Sequence, residues 1–210
     1  MFEEDRQDFA VGVPAHTLAR FISHYEIFKR IAGVPGVIVD IGVGAGGSTW
    51  AFAAMCEIFA RGKRVYGFDT FAGFPAVSLE DGRGNLVGVG KMAFPKVFDG
   101  IVLPPRIHLY KGDITSTVPE FVKEHPELKI ALLNLDADLY APTRVALECL
   151  EPLVEHGGVI ILDEYDLVDV FPGERKAVDE YYTALAGRPP RVNRFPWYNN
   201  PSAYLIKGTE

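Results

Sequence analysis

The stretch from Val37 to Thr49 limits the fold of this chain more than any other. Val37-Ile38-Val39-Asp40-Ile41 is apolar and largely β-branched, as a strand buried on both faces must be. Gly42, Gly44, Gly46 and Gly47 follow at once, and Trp50 to Ala60 then carries apolar residues at helical spacing. Strand, glycine turn and helix in that order predict the opening unit of a nucleotide-binding α/β sheet. Glycine is required because the backbone turns sharply and approaches a ligand with no Cβ between them.

Two ligands suit such a turn. Gly42, Gly44 and Gly47 fit the spacing of a dinucleotide site, where an anionic pyrophosphate takes N–H donors at the helix start. Asp40 stands just before Gly42, at the carboxyl end of the strand. That acid-x-Gly-x-Gly order resembles the first motif of S-adenosylmethionine (SAM) methyltransferases. SAM carries a sulfonium and an ammonium group, so a neighbouring carboxylate favours it over NAD. An ordinary tight turn with no ligand is the third possibility, but clustered glycines cost stability that such a turn does not require.

The 210 residues suit one domain around one core, and 48% hydrophobic with 23% charged content is an ordinary globular balance. A formal net charge of −7 argues against a nucleic-acid partner. Cys56 and Cys149 each fall in a helical apolar pattern, which predicts buried free thiols and no disulfide. Met1 to Asp8 is too acidic for a signal peptide, and no apolar run reaches membrane-spanning length. The expectation is a soluble cytoplasmic protein with no membrane partner.

Around the first unit the chain alternates strands and helices. Thr17 to Ile31 predicts a helix within an N-terminal extension (residues 1–34), with His16 and His24 in surface or cap roles or as lid residues touching substrate. Lys63 to Phe68 is a second strand ending at Asp69, and Phe71-Ala72-Gly73-Phe74-Pro75 reads as a turn. Residues 76–105 form a long irregular connection, read as a lid or substrate loop, with Ala93 to Phe98 as a short helical piece. Arg106 to Lys111 is a third strand, followed by Asp113 and Ile114, and Thr117 to Glu124 a helix with Pro119 in its first turn. Lys129 to Leu135 is a fourth strand and Ala141 to Leu153 a helix closed by Gly157-Gly158. Val159 to Leu162 is a fifth strand, Gly173 to Ala186 a further helix, and Arg191 to Phe195 with Ala203 to Lys207 an antiparallel edge pair. The fold class is α/β, Rossmann-like: a mostly parallel twisted sheet with helices on both faces and an antiparallel C-terminal strand.

Acids stand at the carboxyl ends of successive strands: Asp40, Asp69, Asp113, Asp136 with Asp138, and Asp163 with Glu164. Ligands bind at that edge of an open sheet. Bare carboxylates crowded there repel one another and resist desolvation, so cations are expected among them. SAM supplies some positive charge. A divalent ion, most simply Mg2+, on the hard oxygens of Asp136, Asp163 and Glu164 supplies more. Some of these acids could instead cap the helices that follow, Asp138 above all. Asp69 lies roughly 20 residues past the turn, where an acid accepts both hydroxyls of a ribose.

Four segments together resemble the macrocin-type O-methyltransferases, a family that tailors macrolide sugars and related natural products. They are Val34 to Ser48, Val65-Tyr-Gly-Phe-Asp-Thr-Phe-Ala-Gly-Phe-Pro75, Leu135-Asp-Ala-Asp-Leu-Tyr-Ala-Pro-Thr143, and Gly157 to Tyr165 followed by Pro172 to Glu180. The resemblance implies a SAM- and magnesium-dependent transfer to a hydroxyl of a small acceptor, with a homodimer usual for such domains. It implies cofactor contacts at Asp40, Gly42, Val43, Gly44, Gly47 and Ser48 around the turn. Asp69, Thr70 and Phe71 would meet the ribose, Asp113 and Ile114 the adenine, and Asp136 the reacting end. Metal ligands fall on Asp136, Asp163 and Glu164. This chain departs from the family in having Glu164 where a second Asp is usual, in lacking a histidine within residues 76–105, and in being short for the group. Lys91 becomes the candidate general base, with Tyr140 and His108 behind it. Phe71, Phe74, Trp197 and Tyr198 would wall the acceptor or pack as core aromatics. An NAD-linked oxidoreductase, or a SAM-binding protein without catalysis, are the competing readings.

Overall fold

The structure is a computed structural model that describes residues 13–82, 87–197 and 200–209. Six strands form one sheet in the order β3-β2-β1-β4-β5-β6. They are β1 (Val37–Ile41), β2 (Val65–Asp69), β3 (Ile107–Lys111), β4 (Ile130–Leu135), β5 (Val154–Leu162) and β6 (Ala203–Ile206). All neighbours are parallel except β6, which runs antiparallel to β5. The chain builds outward from β1 to β3, then crosses back to place β4 on the other side of β1. The crevice at that reversal is where an open sheet of this kind binds ligands.

Both faces of the sheet are covered, which is why β1 and β4 read as unbroken apolar runs. Val39, Ile41, Leu133 and Leu135 pack on one face with Val118 and Phe121 of α3 (Ile114–Glu124), Leu147 of α4 (Tyr140–Leu150) and Val178 of α5 (Pro172–Ala186). Ile38 and Leu132 pack on the other face with Ile27, Phe28 and Ile31 of α1 (Ala15–Ile31) and Phe52 and Cys56 of α2 (Gly47–Phe59). Phe28, Phe52, Phe68 and Phe121 are fully buried, and removing such a ring costs about 3–5 kcal/mol. Cys56 is a buried free thiol, as expected, whereas Cys149 is a free thiol only half-buried. Among the described residues no helix is long and apolar enough to cross a membrane.

Four local expectations are corrected. Gly157-Gly158 does not close a helix: α4 ends at Leu150, a short 3-10 turn (Glu151–Leu153) follows, and both glycines lie inside β5. They sit where the β4–β5 register shifts, and a Cβ on Gly158 would press on the Glu155 and Ala131 carbonyls. Helix α3 starts at Ile114 because Asp113 caps it, accepting from the Thr115 amide at 2.9 Å, so Pro119 lies beyond the first turn. Residues 93–98 form successive turns without a helix. Arg191 to Phe195 contributes only an isolated bridge between Asn193 and Tyr204, so the antiparallel partner of β6 is β5.

Candidate functional site

The glycine turn is fixed by contacts that no other residue permits. Gly42 has φ +90°, and a Cβ there would collide with the Asp136 carbonyl of the neighbouring strand end. Gly46 is the left-handed N-cap of α2. Beneath the turn Asp40 is fully buried. It accepts from Thr49 Oγ1 at 2.5 Å and Asn134 Nδ2 at 2.8 Å. Burial pushes its carboxyl up to about 6, against the pull of those two hydrogen bonds. Asp40 therefore ties β1, β4 and α2 together under the turn and is not on the cavity wall.

Above it opens a cavity of about 320 Å³. Of the cofactor contacts that the resemblance implies, Gly42, Val43, Gly44, Gly47, Ser48, Asp69, Thr70, Asp113, Ile114 and Asp136 line it, whereas Asp40 and Phe71 do not. Asp69 Oδ2 accepts the Gly44 amide at 2.8 Å while its Oδ1 accepts the Phe71 amide at 2.6 Å. Thr70 Oγ1 donates to the Gly73 carbonyl, closing the expected turn. Phe71 itself is buried at φ +56° and packs edge-on against Phe98, off the cavity wall. Asp113 both caps α3 and lines the cavity.

The connection after β2 folds over this cavity. Phe74 and Lys91 pair through their backbones, as do Gly90 and Phe74, and the Phe94 amide donates to Phe71 O at 3.2 Å. These bonds carry Met92 and Phe94 to the cavity wall beside Phe74 and Pro75. Asp81, buried in a 3-10 turn (Leu79–Asp81), holds the far end by accepting the Tyr140 amide at the start of α4. Asp138 therefore does not cap α4. It stands at φ +62° and lines the cavity.

At the ends of β4 and β5 carboxylates crowd together. Oxygens of Asp136, Asp138 and Glu164 lie within 4.8 Å of one another. Asp163 is 0% exposed and sits beside them, but its Oδ2 is taken by Arg20 at 2.7 Å and Asn200 at 2.9 Å. The three acids brought together thus include Asp138, in the position given from sequence to Asp163. Glu174, on the first turn of α5, adds a further fully buried carboxylate, and its Oε1 accepts the Glu164 amide at 3.1 Å. Burial, reinforced by Asp163, holds Asp136, Glu164 and Glu174 well above the usual carboxylate range. The same causes push Asp138 up to about 7. Among the described residues Asp163 Oδ1, Glu164 Oε2 and Glu174 Oε2 are buried without a hydrogen-bond partner. Orphaned hard oxygens around a tight carboxylate trio fit a divalent cation.

Arg20 and Glu174 were missed by sequence reasoning. Arg20 lies 116 residues from Asp136, and nothing local marks it. Glu174 falls inside one of the four motif segments, where its neighbours look like a plain helix start. Other candidates lie elsewhere. Lys91 is exposed and its side chain is off the cavity wall. His108 stacks on Tyr66 at 5.1 Å in β3, and the Tyr140 hydroxyl donates to Glu180 at the surface. His16 is exposed, but His24 is fully buried against Phe52 and so has no surface or cap role. Trp197 stacks on Phe195 and donates to Ser23, whereas Tyr198 lies outside the described residues.

A parallel sheet reversed beside β1, with a glycine turn and an acid rim at that reversal, is the Rossmann-like class I methyltransferase fold. Residues 20–187 match the family described as macrocin-O-methyltransferase (TylF), and the chain belongs to that family, as its motifs imply. It is 30% identical over 156 residues to 8-demethyl-8-(2,3-dimethoxy-alpha-L-rhamnosyl)-tetracenomycin-C 4'-O-methyltransferase of Streptomyces olivaceus, covering 63% of this chain and 54% of that protein. It is 30% identical over 161 residues to demethyldecarbamoylnovobiocin O-methyltransferase of Streptomyces niveus, covering 70% of this chain and 58% of that protein. The match thus spans little more than half the length of these relatives. Among solved structures, that of CalS11, a calicheamicin methyltransferase, superposes with TM-score 0.82 at 28% identity, covering 96% of this chain and 83% of that one. The O-methyltransferase NovP gives TM-score 0.70 at 25% identity, covering 92% and 82%. Family membership favours the SAM reading of the glycine turn over the dinucleotide one.

Proposed function

We propose that this chain transfers a methyl group from SAM to a hydroxyl of a small sugar-bearing or natural-product acceptor, with a divalent cation, most simply Mg2+, at the carboxylate rim. The observation that carries this reading is that the glycine turn and two members of the acid trio, Asp136 and Asp138, line one cavity, with Glu164 beside them. The names of the family and of its relatives support the reaction class and the kind of acceptor.

In this scheme the amides of the turn and Asp69 hold the ribose and methionine parts of SAM, and Asp113 with Ile114 faces the adenine. Asp136, Asp138 and Glu164 are the residues that would hold the cation. When bound, it supplies positive charge that favours an ionised acceptor hydroxyl. Phe74, Pro75, Met92 and Phe94 exclude water from the reacting centre and fix the acceptor against the methyl donor. The carbon–sulfur bond breaks as the carbon–oxygen bond forms, and the hydroxyl proton passes to a carboxylate on the wall. Asp138 is the base we assign in place of Lys91, because it lines the cavity; it takes the proton only where Asp136 and Glu164 hold the cation without it.

Titration calorimetry with SAM, then methyl transfer to a sugar diol with and without EDTA, tests the proposal. Binding of SAM and EDTA-sensitive transfer are expected. Binding without transfer to any diol would favour a SAM-binding protein without catalysis, and no SAM binding would remove the reading altogether.

A further inference from the structure

Arg20 enters the carboxylate rim from the second turn of α1. Its Nη1 donates to Asp136 Oδ2 at 3.1 Å and its Nη2 to Asp163 Oδ2 at 2.7 Å. Among the described residues these are the ion pairs that Asp136 and Asp163 make. Helix α1 is held unevenly. Its second half is buried through Ser23, His24, Ile27, Phe28 and Ile31, whereas Leu18 and Ile22 in the first half are exposed. Among the described residues Arg20 is the side chain of that first half that ion-pairs with the acids at the strand ends, next to Phe21, which packs on the core.

Asp136 belongs both to this pair and to the trio with Asp138 and Glu164. A divalent ion on the trio would therefore sit against the guanidinium. Asp163 is wholly buried, so little water separates the two cations and their repulsion is weakly screened. The acids cannot retreat, because they are fixed at strand ends. Arg20 can, because its side chain is long and remains 31% exposed at the cavity mouth. We propose that Arg20 and a divalent ion are alternative counter-cations for Asp136 and Asp163, so that ion binding expels the guanidinium and unties the first turns of α1. This inference rests on the divalent-cation part of the proposed function.

Mn2+ is the probe. Its affinity is measured by electron paramagnetic resonance for the wild type, R20M and R20K, and amide exchange over residues 15–22 is followed by mass spectrometry with and without Mn2+. R20M is expected to bind Mn2+ about tenfold or more tightly than the wild type, because a like charge next to the ion is gone. R20K, a cation without the two-pronged grip, is expected between the two. In the wild type, Mn2+ is expected to speed exchange over residues 15–22. Equal or weaker binding by R20M would overturn the proposal and leave the divalent-cation reading standing. If Mn2+ binds neither protein, both fall together. Should R20M fail to fold, exchange in the wild type decides: faster exchange on adding Mn2+ supports the proposal and unchanged exchange overturns it.

Discussion

Asp40 and His24 are both fully buried, and acid acts on them in opposite senses. Burial raises Asp40 to about 6, above its ordinary value of 3.8. Between those values the folded protein binds a proton that the unfolded chain has lost, so this residue's contribution falls as pH rises from about 4 to about 6. Burial, aided by Arg20, lowers His24 to about 3 from 6.5. There the unfolded chain takes up the proton first, and stability is lost as pH falls below about 6.5. Urea unfolding at several pH values separates the two. Relative to Asp40→Asn the wild type should gain stability on going from pH ~6 to pH ~4, and relative to His24→Leu it should lose it, each with a slope approaching ~1.4 kcal/mol per pH unit. Parallel curves for a variant and the wild type would mean that the group concerned titrates normally. The sequence marks Asp40 as special through its place before Gly42. It does not show that the carboxylate faces α2 rather than the cavity, because which side of a strand end faces a ligand depends on the helix packed above it.

Among elements, α3 shows one side chain doing two jobs. Asp113 Oδ1 is taken by the amide and hydroxyl of Thr115, and the residue also lines the cavity. Asp113→Ala should cost about 1 kcal/mol through loss of the cap, whereas Asp113→Asn keeps an acceptor and should stay within about 0.5 kcal/mol. Both variants should lose SAM affinity if the carboxylate meets the adenine amino group, since an asparagine would turn a donor toward it. Calorimetry beside urea unfolding reads the two effects apart, and unchanged affinity in Asp113→Asn would reduce Asp113 to a cap. Most element types came through from periodicity, apart from residues 93–98 and 191–195, while several element ends did not. The Gly157-Gly158 pair carries the signal of a helix stop, yet a bulge between two paired strands requires the same residue. Only the approach of the Ala131 carbonyl distinguishes the two cases.

At the scale of the whole molecule, Asp136, Asp138, Asp163, Glu164 and Glu174 gather at one edge of the sheet with Arg20 as their paired cation. Such a cluster is a liability unless positive charge enters it. A ligand that binds only the folded state raises stability by about 2.7 kcal/mol at a hundredfold excess over its Kd. Thermal unfolding in millimolar Mg2+ or Mn2+ should therefore shift upward by several degrees, and Glu164→Gln should abolish most of that shift. A melting temperature indifferent to both ions would argue that the rim is neutralised by protons and Arg20 alone.

The order of strands and helices, the glycine turn and the row of acids at strand ends are properties of local pattern. Periodicity and backbone sterics act over a few residues, and so the chain announces them directly. Which acids converge is another matter. Asp138 entered the trio and Asp163 was drawn to Arg20 because a helix far away in sequence lays one guanidinium across the rim. Lys91 likewise left the cavity because backbone pairing with Phe74 turned Met92 and Phe94 inward. Long-range electrostatics and loop closure depend on distances that exist only after folding, and those distances decide which side chains meet.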